Sequence, residues 1–233
     1  MLRDEGQGAV VLLSAGLDST YNLLRAHQEF KVSLVLTFDY GQKASLRELQ
    51  RARHLAQSVN LRHEVVSLPW FKIFTQTSLL SDKAVPVGAD IQIDDKETSE
   101  RSAERVWVPN RNGIFLNIAA GFAEGLGAQF VVPGFNLEEA QTFPDNSAAY
   151  LASLDQSFKF STSNHIRTKC YSIALDKTQI VAEGKRLGLP FHALWPCYLS
   201  GAEWCGQCES CQRYRRALSA NGLSFDELKG TKI

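Results

Sequence analysis

Residues 9–13 read Ala-Val-Val-Leu-Leu, five apolar positions in a row. A short apolar run with β-branched residues predicts a strand buried on both faces. It stops at Ser14. Apolar positions then return at helical spacing, predicting a helix over 18–29 capped by Asp18 or Ser19, with Leu23 and Leu24 facing inward. The alternation continues with a strand at 32–38, a helix at 43–59 and a strand at 63–68. In the second helix Leu46, Leu49, Ala52, Ala56 and Val59 form one apolar face. Residues 69–106 break the rhythm with Pro69, Pro86, Gly88 and the acids Asp94, Asp95 and Glu97. It resumes with a helix near 112–126, a strand at 129–133, a polar loop at 134–146, a helix near 147–158, a strand near 168–174 and a helix at 177–187. Apolar strands alternating with helices predict an α/β fold: a Rossmann-like parallel sheet with helices on both faces. The regular part, 1–190, reads as one domain, and 191–233 as a four-cysteine segment packed on it.

Charge adds a constraint. Lysine plus arginine equals aspartate plus glutamate at 25 each, so the basic excess of a polyanion-binding protein is missing, apart from Arg213, Arg215 and Arg216, read as a solvated helix face or, alternatively, as contacts to phosphate or an acidic partner. Nucleic acid is therefore not an expected partner. No apolar run approaches the roughly 20 residues of a membrane span. Met1-Leu2-Arg3-Asp4-Glu5 lacks the apolar core of a signal peptide. The expected location is the cytoplasm, with no membrane association.

The first turn carries chemistry. Ser14-Ala15-Gly16-Leu17-Asp18-Ser19-Thr20 joins a strand's carboxyl end to a helix start. In an open parallel sheet, ligands bind there. Backbone N–H groups and the helix dipole make such a turn an anion cradle. Gly16 admits phosphate oxygens, Ser14, Ser19 and Thr20 add hydroxyls, and Asp18 could hold Mg²⁺. The competing reading is a serine-rich turn that only caps a helix. The pattern G-x-x-x-x-G-K-[ST] is absent. A methyl at Ala15 is expected to require negative φ.

Four of the five cysteines, Cys197, Cys205, Cys208 and Cys211, are spaced C-x7-C-x2-C-x2-C with Gly206 in a tight turn. Such clustering points to a closed tetrathiolate zinc site with a structural role. Iron–sulfur ligation and a redox pair compete with it; the C-x3-C-P continuation of the former is missing.

The turn "SAGLDST" resembles the pyrophosphate loop of the N-type ATP pyrophosphatases, usually S-G-G-x-D-S-[ST]. Together with "TFDYGQ" (37–42), "VPNRN" (108–112), "GFNLEEAQTFPDNS" (134–147), "ALDKTQIV" (174–181) and "PCYLSGAEWCGQCESC" (196–211), it makes nearly the whole chain resemble the 7-cyano-7-deazaguanine synthase family. Pro196 stands where serine is usual, and Ala15 where a second glycine is usual. The resemblance implies an adenine nucleotide alpha hydrolase-like fold with ATP, Mg²⁺ and structural Zn²⁺. It also implies ammonia and 7-carboxy-7-deazaguanine as small-molecule substrates, and a homodimer. It implies nucleotide binding by Leu13, Ser14, Ala15, Gly16, Leu17, Ser19, Thr20 and Asp39, and catalysis by Asp18, Lys177 and Arg111. The base would be met by Tyr40, Asn136, Glu138, Glu139 and Asp145, with Trp107 and Phe143 as further stacking candidates. Two alternatives stay open: a paralogue joining a deazaguanine to a protein or DNA acceptor, and a tRNA-modifying enzyme of the same superfamily.

Overall fold

β1 (Asp4–Leu12) forms the centre of a five-stranded parallel sheet in a computed structural model that describes residues 4–88, 91, 93 and 103–230. On one side lie β2 (Phe30–Asp39) and β3 (His63–Ser67); on the other lie β4 (Phe130–Val132) and β5 (Arg167–Thr168). β1 pairs in parallel with both β2 and β4, Val11 standing between Val35 and Val132. The connections are α1 (Leu17–Glu29), α2 (Ser45–Ser58), the short α3 (Phe71–Phe74), α4 (Arg111–Gly125), the short α5 (Leu137–Ala140) and α6 (Ala148–Ser161). After β5 come α7 (Lys177–Arg186), α8 (Glu209–Ala220) and the short α9 (Phe225–Leu228). Right-handed crossovers running outward from β1 in opposite directions put α1 and α2 on one face and α4 and α6 on the other. The order reverses between β1 and β4, so the turn after β1 lies at the topological switch point.

Val10, Val11, Val35, Leu36, Val131 and Val132 are fully buried, as a sheet covered on both faces requires. The cysteine segment packs on this core through Trp195, Trp204 and Tyr214, all buried. The Trp195 N–H donates to the Ala15 carbonyl at 2.8 Å, tying the segment to the turn after β1. No described helix is long and apolar enough to cross a membrane.

The sequence expectations fail in identifiable places. β3 is an edge strand, and Val65 on it is exposed. The buried face of α2 is Arg51, Ala52, Leu55 and Ala56, while Leu46 points outward. The cap of α1 is Gly16 rather than Asp18 or Ser19. The strand expected near 168–174 shrinks to two residues; Asn22 accepts the Tyr171 N–H at 2.7 Å, and the Ser172 hydroxyl donates to the Phe135 carbonyl, so the remainder folds as turns. The acids Asp94, Asp95 and Glu97 lie outside the described residues, as do Met1–Arg3.

Candidate active site

A cavity of about 260 Å³ opens at the carboxyl ends of β1, β2 and β4. One end of it is the turn after β1. Gly16 caps α1 without a side-chain hydrogen bond, so the free N–H groups of the first helical turn stay available to an anion. Ser19 Oγ accepts the Ser14 N–H at 3.2 Å and lies 3.2 Å from Ser14 Oγ, folding the two hydroxyls together. Gly134, just after β4, crosses this turn so closely that a Cβ there would lie 2.5 Å from Ser19 N. Only glycine permits that approach.

Ala15 has φ 62, in the left-handed region, contrary to the negative φ expected from its methyl. Its side chain is fully buried and its carbonyl is held by Trp195. Such a conformation costs alanine about 1–2 kcal/mol and a β-branched residue more. Ala15→Gly should therefore keep the melting temperature and ATP turnover near wild type. Ala15→Val should lower stability by about 2–3 kcal/mol or more. Thermal melts of the two variants check this; equal melting temperatures would contradict it.

Lys177 opens α7, behind a capping box formed by Asp176 and Gln179. Its buried ammonium lies 2.7 Å from Asp18 Oδ2 and 2.8 Å from Glu139 Oε1. Burial alone would lower its pKa, yet the two carboxylates hold it above the usual lysine range. Burial pushes Asp18 up despite the lysine. Burial also works against Glu139 ionising, but Lys177 outweighs it and keeps that carboxyl below the usual range. One lysine facing two acids leaves an excess negative charge. Asp18 Oδ1 is buried without a hydrogen-bond partner, which suits a cation beside the cradle.

Glu138 is engaged elsewhere. Its Oε1 accepts the Lys177 N–H at 3.0 Å, and its Oε2 meets Arg213 at 3.1 Å and Arg216 at 2.5 Å. Arg213 and Arg216 therefore turn inward rather than forming a solvated face; Arg215 alone of the three pairs outward, with Asp226 at 2.7 Å. The other end of the cavity is aromatic, lined by Tyr40, Phe115, Trp107 and Phe143. Trp107 and Phe143 are stacked at 5.9 Å. Arg111 reaches this end because Asn110 takes a left-handed φ of 50, which asparagine tolerates, and turns the chain into α4. Its Nη1 donates to the Tyr40 hydroxyl at 3.3 Å. Asp145 lines the same end; burial pushes its pKa up, against the pull of Arg111.

Of the candidates named from sequence, Leu13, Ser14, Gly16, Leu17, Asp18, Ser19, Tyr40, Arg111, Glu138, Glu139, Asp145 and Lys177 line this one cavity. Ala15, Thr20, Asp39 and Asn136 lie behind it. Thr20 is fully buried. Asp39 accepts from Ser45 Oγ at 2.8 Å and the Gly41 N–H at 3.2 Å, organising the turn into α2. Asn136 accepts the Glu139 N–H at 3.0 Å, capping α5. Sequence reasoning missed Glu48, Tyr198 and Arg213 as cavity residues. For Glu48 a signal existed, six residues beyond the end of TFDYGQ.

The sulfurs of Cys197, Cys205, Cys208 and Cys211 all lie within 4.8 Å of one another, and Cys205 and Cys211 are 3.9 Å apart. Zinc–sulfur bonds of about 2.3 Å imply sulfur separations of about 3.8 Å, so the four thiols fit one tetrahedral ion. Gly206 takes φ 70 in the turn between the ligands, and Cys208 caps α8. The Leu199 and Cys205 N–H groups point at Cys197 Sγ, each at 3.4 Å, as donors to a thiolate do. Hydrogen bonds from Cys208 and Cys211 pull the Cys197 thiol down to about 4, while those two are pushed up. The four cannot ionise together without a compensating cation. Cys197 lines the cavity, so the four-thiol cluster adjoins it.

A doubly wound sheet with an anion-ready turn at its switch point and a separate four-thiol cluster defines an α/β protein of the PP-loop class. The family model for queuosine biosynthesis protein QueC matches residues 8–222, and the chain belongs to that family. A 7-cyano-7-deazaguanine synthase of Bdellovibrio bacteriovorus is 52% identical over 223 residues, covering 94% of this chain and 96% of the relative. One from Carboxydothermus hydrogenoformans is 45% identical, covering 91% and 99%. Among solved structures, a 4-thiouridine synthetase–RNA complex with bound ATP matches 79% of this chain and 41% of its own, at TM-score 0.48 and 22% identity.

Proposed function

We propose that the protein converts 7-carboxy-7-deazaguanine and ammonia into 7-cyano-7-deazaguanine, using ATP. The observation that carries this reading is a single cavity joining a cradle for phosphates to an aromatic end fit for a flat base, in a chain of this family. A carboxylate is a poor electrophile, so an oxygen must become a leaving group. With ATP phosphates on the Ser14–Ser19 turn, the substrate carboxylate attacks the α-phosphorus and pyrophosphate departs. Ammonia then adds to the acyl carbon and AMP leaves, giving an amide. The amide oxygen attacks the α-phosphorus of a second ATP and pyrophosphate departs; loss of AMP and of both nitrogen-bound protons gives the nitrile. In this scheme Lys177 and Arg111 meet the charge that develops as the α–β bond breaks. Asp18 would hold Mg²⁺, which when bound neutralises the pyrophosphate.

The four-cysteine cluster would take structural Zn²⁺. Its need for reduced thiols fits a cytoplasmic location. A homodimer fits the exposed apolar side chains of Phe122 and Leu126.

Oxygen accounting tests the scheme. Both carboxylate oxygens must end in AMP, so substrate labelled with ¹⁸O in its carboxyl group should place one label in each of two AMP molecules per nitrile. The amide supplied alone should be converted with a single ATP. Formation of ADP, or an amide that accumulates without dehydration, would overturn the assignment.

A further inference from the structure

Glu48 differs from Asp18, Glu138 and Glu139, the acids grouped around Lys177. Glu139 and Asp18 share Lys177, and Glu138 is held by two arginines. The hydrogen-bond donor at Glu48 is instead a neutral amide: Gln42 Nε2 donates to its Oε2 at 2.7 Å. Gln42 is buried, and its orientation is forced. Its Oε1 accepts the Tyr40 N–H at 3.0 Å, and its Nε2 also donates to the Phe38 carbonyl at 3.1 Å. The amide can meet both backbone groups only with its nitrogen turned toward Glu48. A carboxylate is thereby fixed in the wall of the cavity, on the first turn of α2. Around it the wall is aromatic: Phe115 stacks on Phe38 at 4.1 Å and meets the Tyr40 ring edge-on at 5.4 Å.

We propose that Glu48 is a specificity-determining residue that accepts hydrogen bonds from the donor edge of the deazaguanine ring. The proposal rests on the function stated above. A half-buried carboxylate in an aromatic wall, with a neutral amide as its hydrogen-bond donor, is costly unless a ligand completes it. Burial pushes its pKa up to about 7, against the pull of Gln42 and Arg111. The guanine-type edge offers N1–H and the 2-amino group side by side, matching the acceptors of one carboxylate. Adenine offers one amino group next to a ring-nitrogen lone pair, which a carboxylate repels. Ammonium would satisfy the charge but leave flat aromatic walls facing water. Arg111, at the same end, has donors for the oxo or carboxylate oxygens of the same ring.

The test compares wild type with Glu48→Gln in steady-state assays varying one substrate at a time. It also compares 7-carboxy-7-deazaguanine with its analogue lacking the 2-amino group. KM for the natural base should rise about 10–100-fold in the variant, with KM for ATP and for ammonium within about threefold of wild type. Wild type should discriminate against the analogue about tenfold or more, and the variant should lose that discrimination. Calorimetric binding of the base to each folded protein, without turnover, should show the same pattern. A rise confined to KM for ATP would make Glu48 a reader of adenine, and one confined to ammonium would make it an ammonium site; either overturns the proposal. So does unchanged discrimination in the variant. Should the variant melt early, the base-versus-analogue comparison in wild type still decides, because equal affinities there refute a 2-amino contact. Wild type that makes no nitrile at all would sink the proposed function instead.

Discussion

Lys177→Met should abolish AMP and pyrophosphate release and lower stability by about 3–5 kcal/mol, the usual cost of removing one partner from a buried ion pair. The lysine neutralises Asp18 at 2.7 Å and Glu139 at 2.8 Å, and all three line the cavity beside the turn after β1. Without the ammonium, two partly buried carboxylates face each other, so at least one must take up a proton or draw in solvent. Lost phosphate binding and lost stability would then be mixed in one variant. Lys177→Met/Glu139→Gln separates them: the second change removes the stranded charge and should recover part of the melting temperature. Activity should not return, because the cation that meets the α–β bond is still missing. Melting temperature and AMP formation, measured on both variants, check this. Substantial AMP formation by the single variant would remove Lys177 from the chemistry.

The lysine also shows what the chain's pattern reveals and what it hides. Its place in a helix's first turn is visible in "LDKTQIV", and a cation there works against the helix dipole. Its partner Asp18 lies 159 residues away, beyond anything local periodicity can report. The central strands are legible because burial on both faces leaves them apolar throughout. β3 and the 168–174 stretch mix polar with apolar positions and are settled by long-range facts: an edge position for one, hydrogen bonds to Asn22 and Phe135 for the other. The cradle and the cysteines are contiguous motifs and stand out at once. Ala15 does not reveal its positive φ, since the demand comes from Trp195, donated by a segment far along the chain. Arg213 looks like a solvated residue until Glu138 is folded beneath it. Glu48 carries no sign of its place in the wall, because its pairing with the Gln42 amide and its distance from Lys177 are properties of the packed pocket.

Removing the metal from the cysteine cluster should damage both the fold and the phosphate chemistry, and the geometry gives the route. Cys208 caps α8 and Cys211 sits in its first turn, so the four-thiol cluster fixes the start of that helix. One turn further on, Arg213 bridges Glu209 at 2.8 Å and Glu138 at 3.1 Å, and Glu138 accepts the Lys177 N–H. Trp195, two residues before Cys197, holds the carbonyl of Ala15 in the cradle. When four thiolates lose their cation they must protonate or repel, and binding energy that had been folding energy is lost. Cys208→Ser should therefore lower stability by more than about 3 kcal/mol, and a strong chelator should lower the melting temperature of the wild-type protein. AMP formation should fall in both cases. Elemental analysis should find about one zinc per chain if all four sulfurs bind a single ion. Iron with a visible charge-transfer band would replace zinc in this account. An unchanged melting temperature after complete metal removal would show that the packing of Trp195, Trp204 and Tyr214 holds the segment without it.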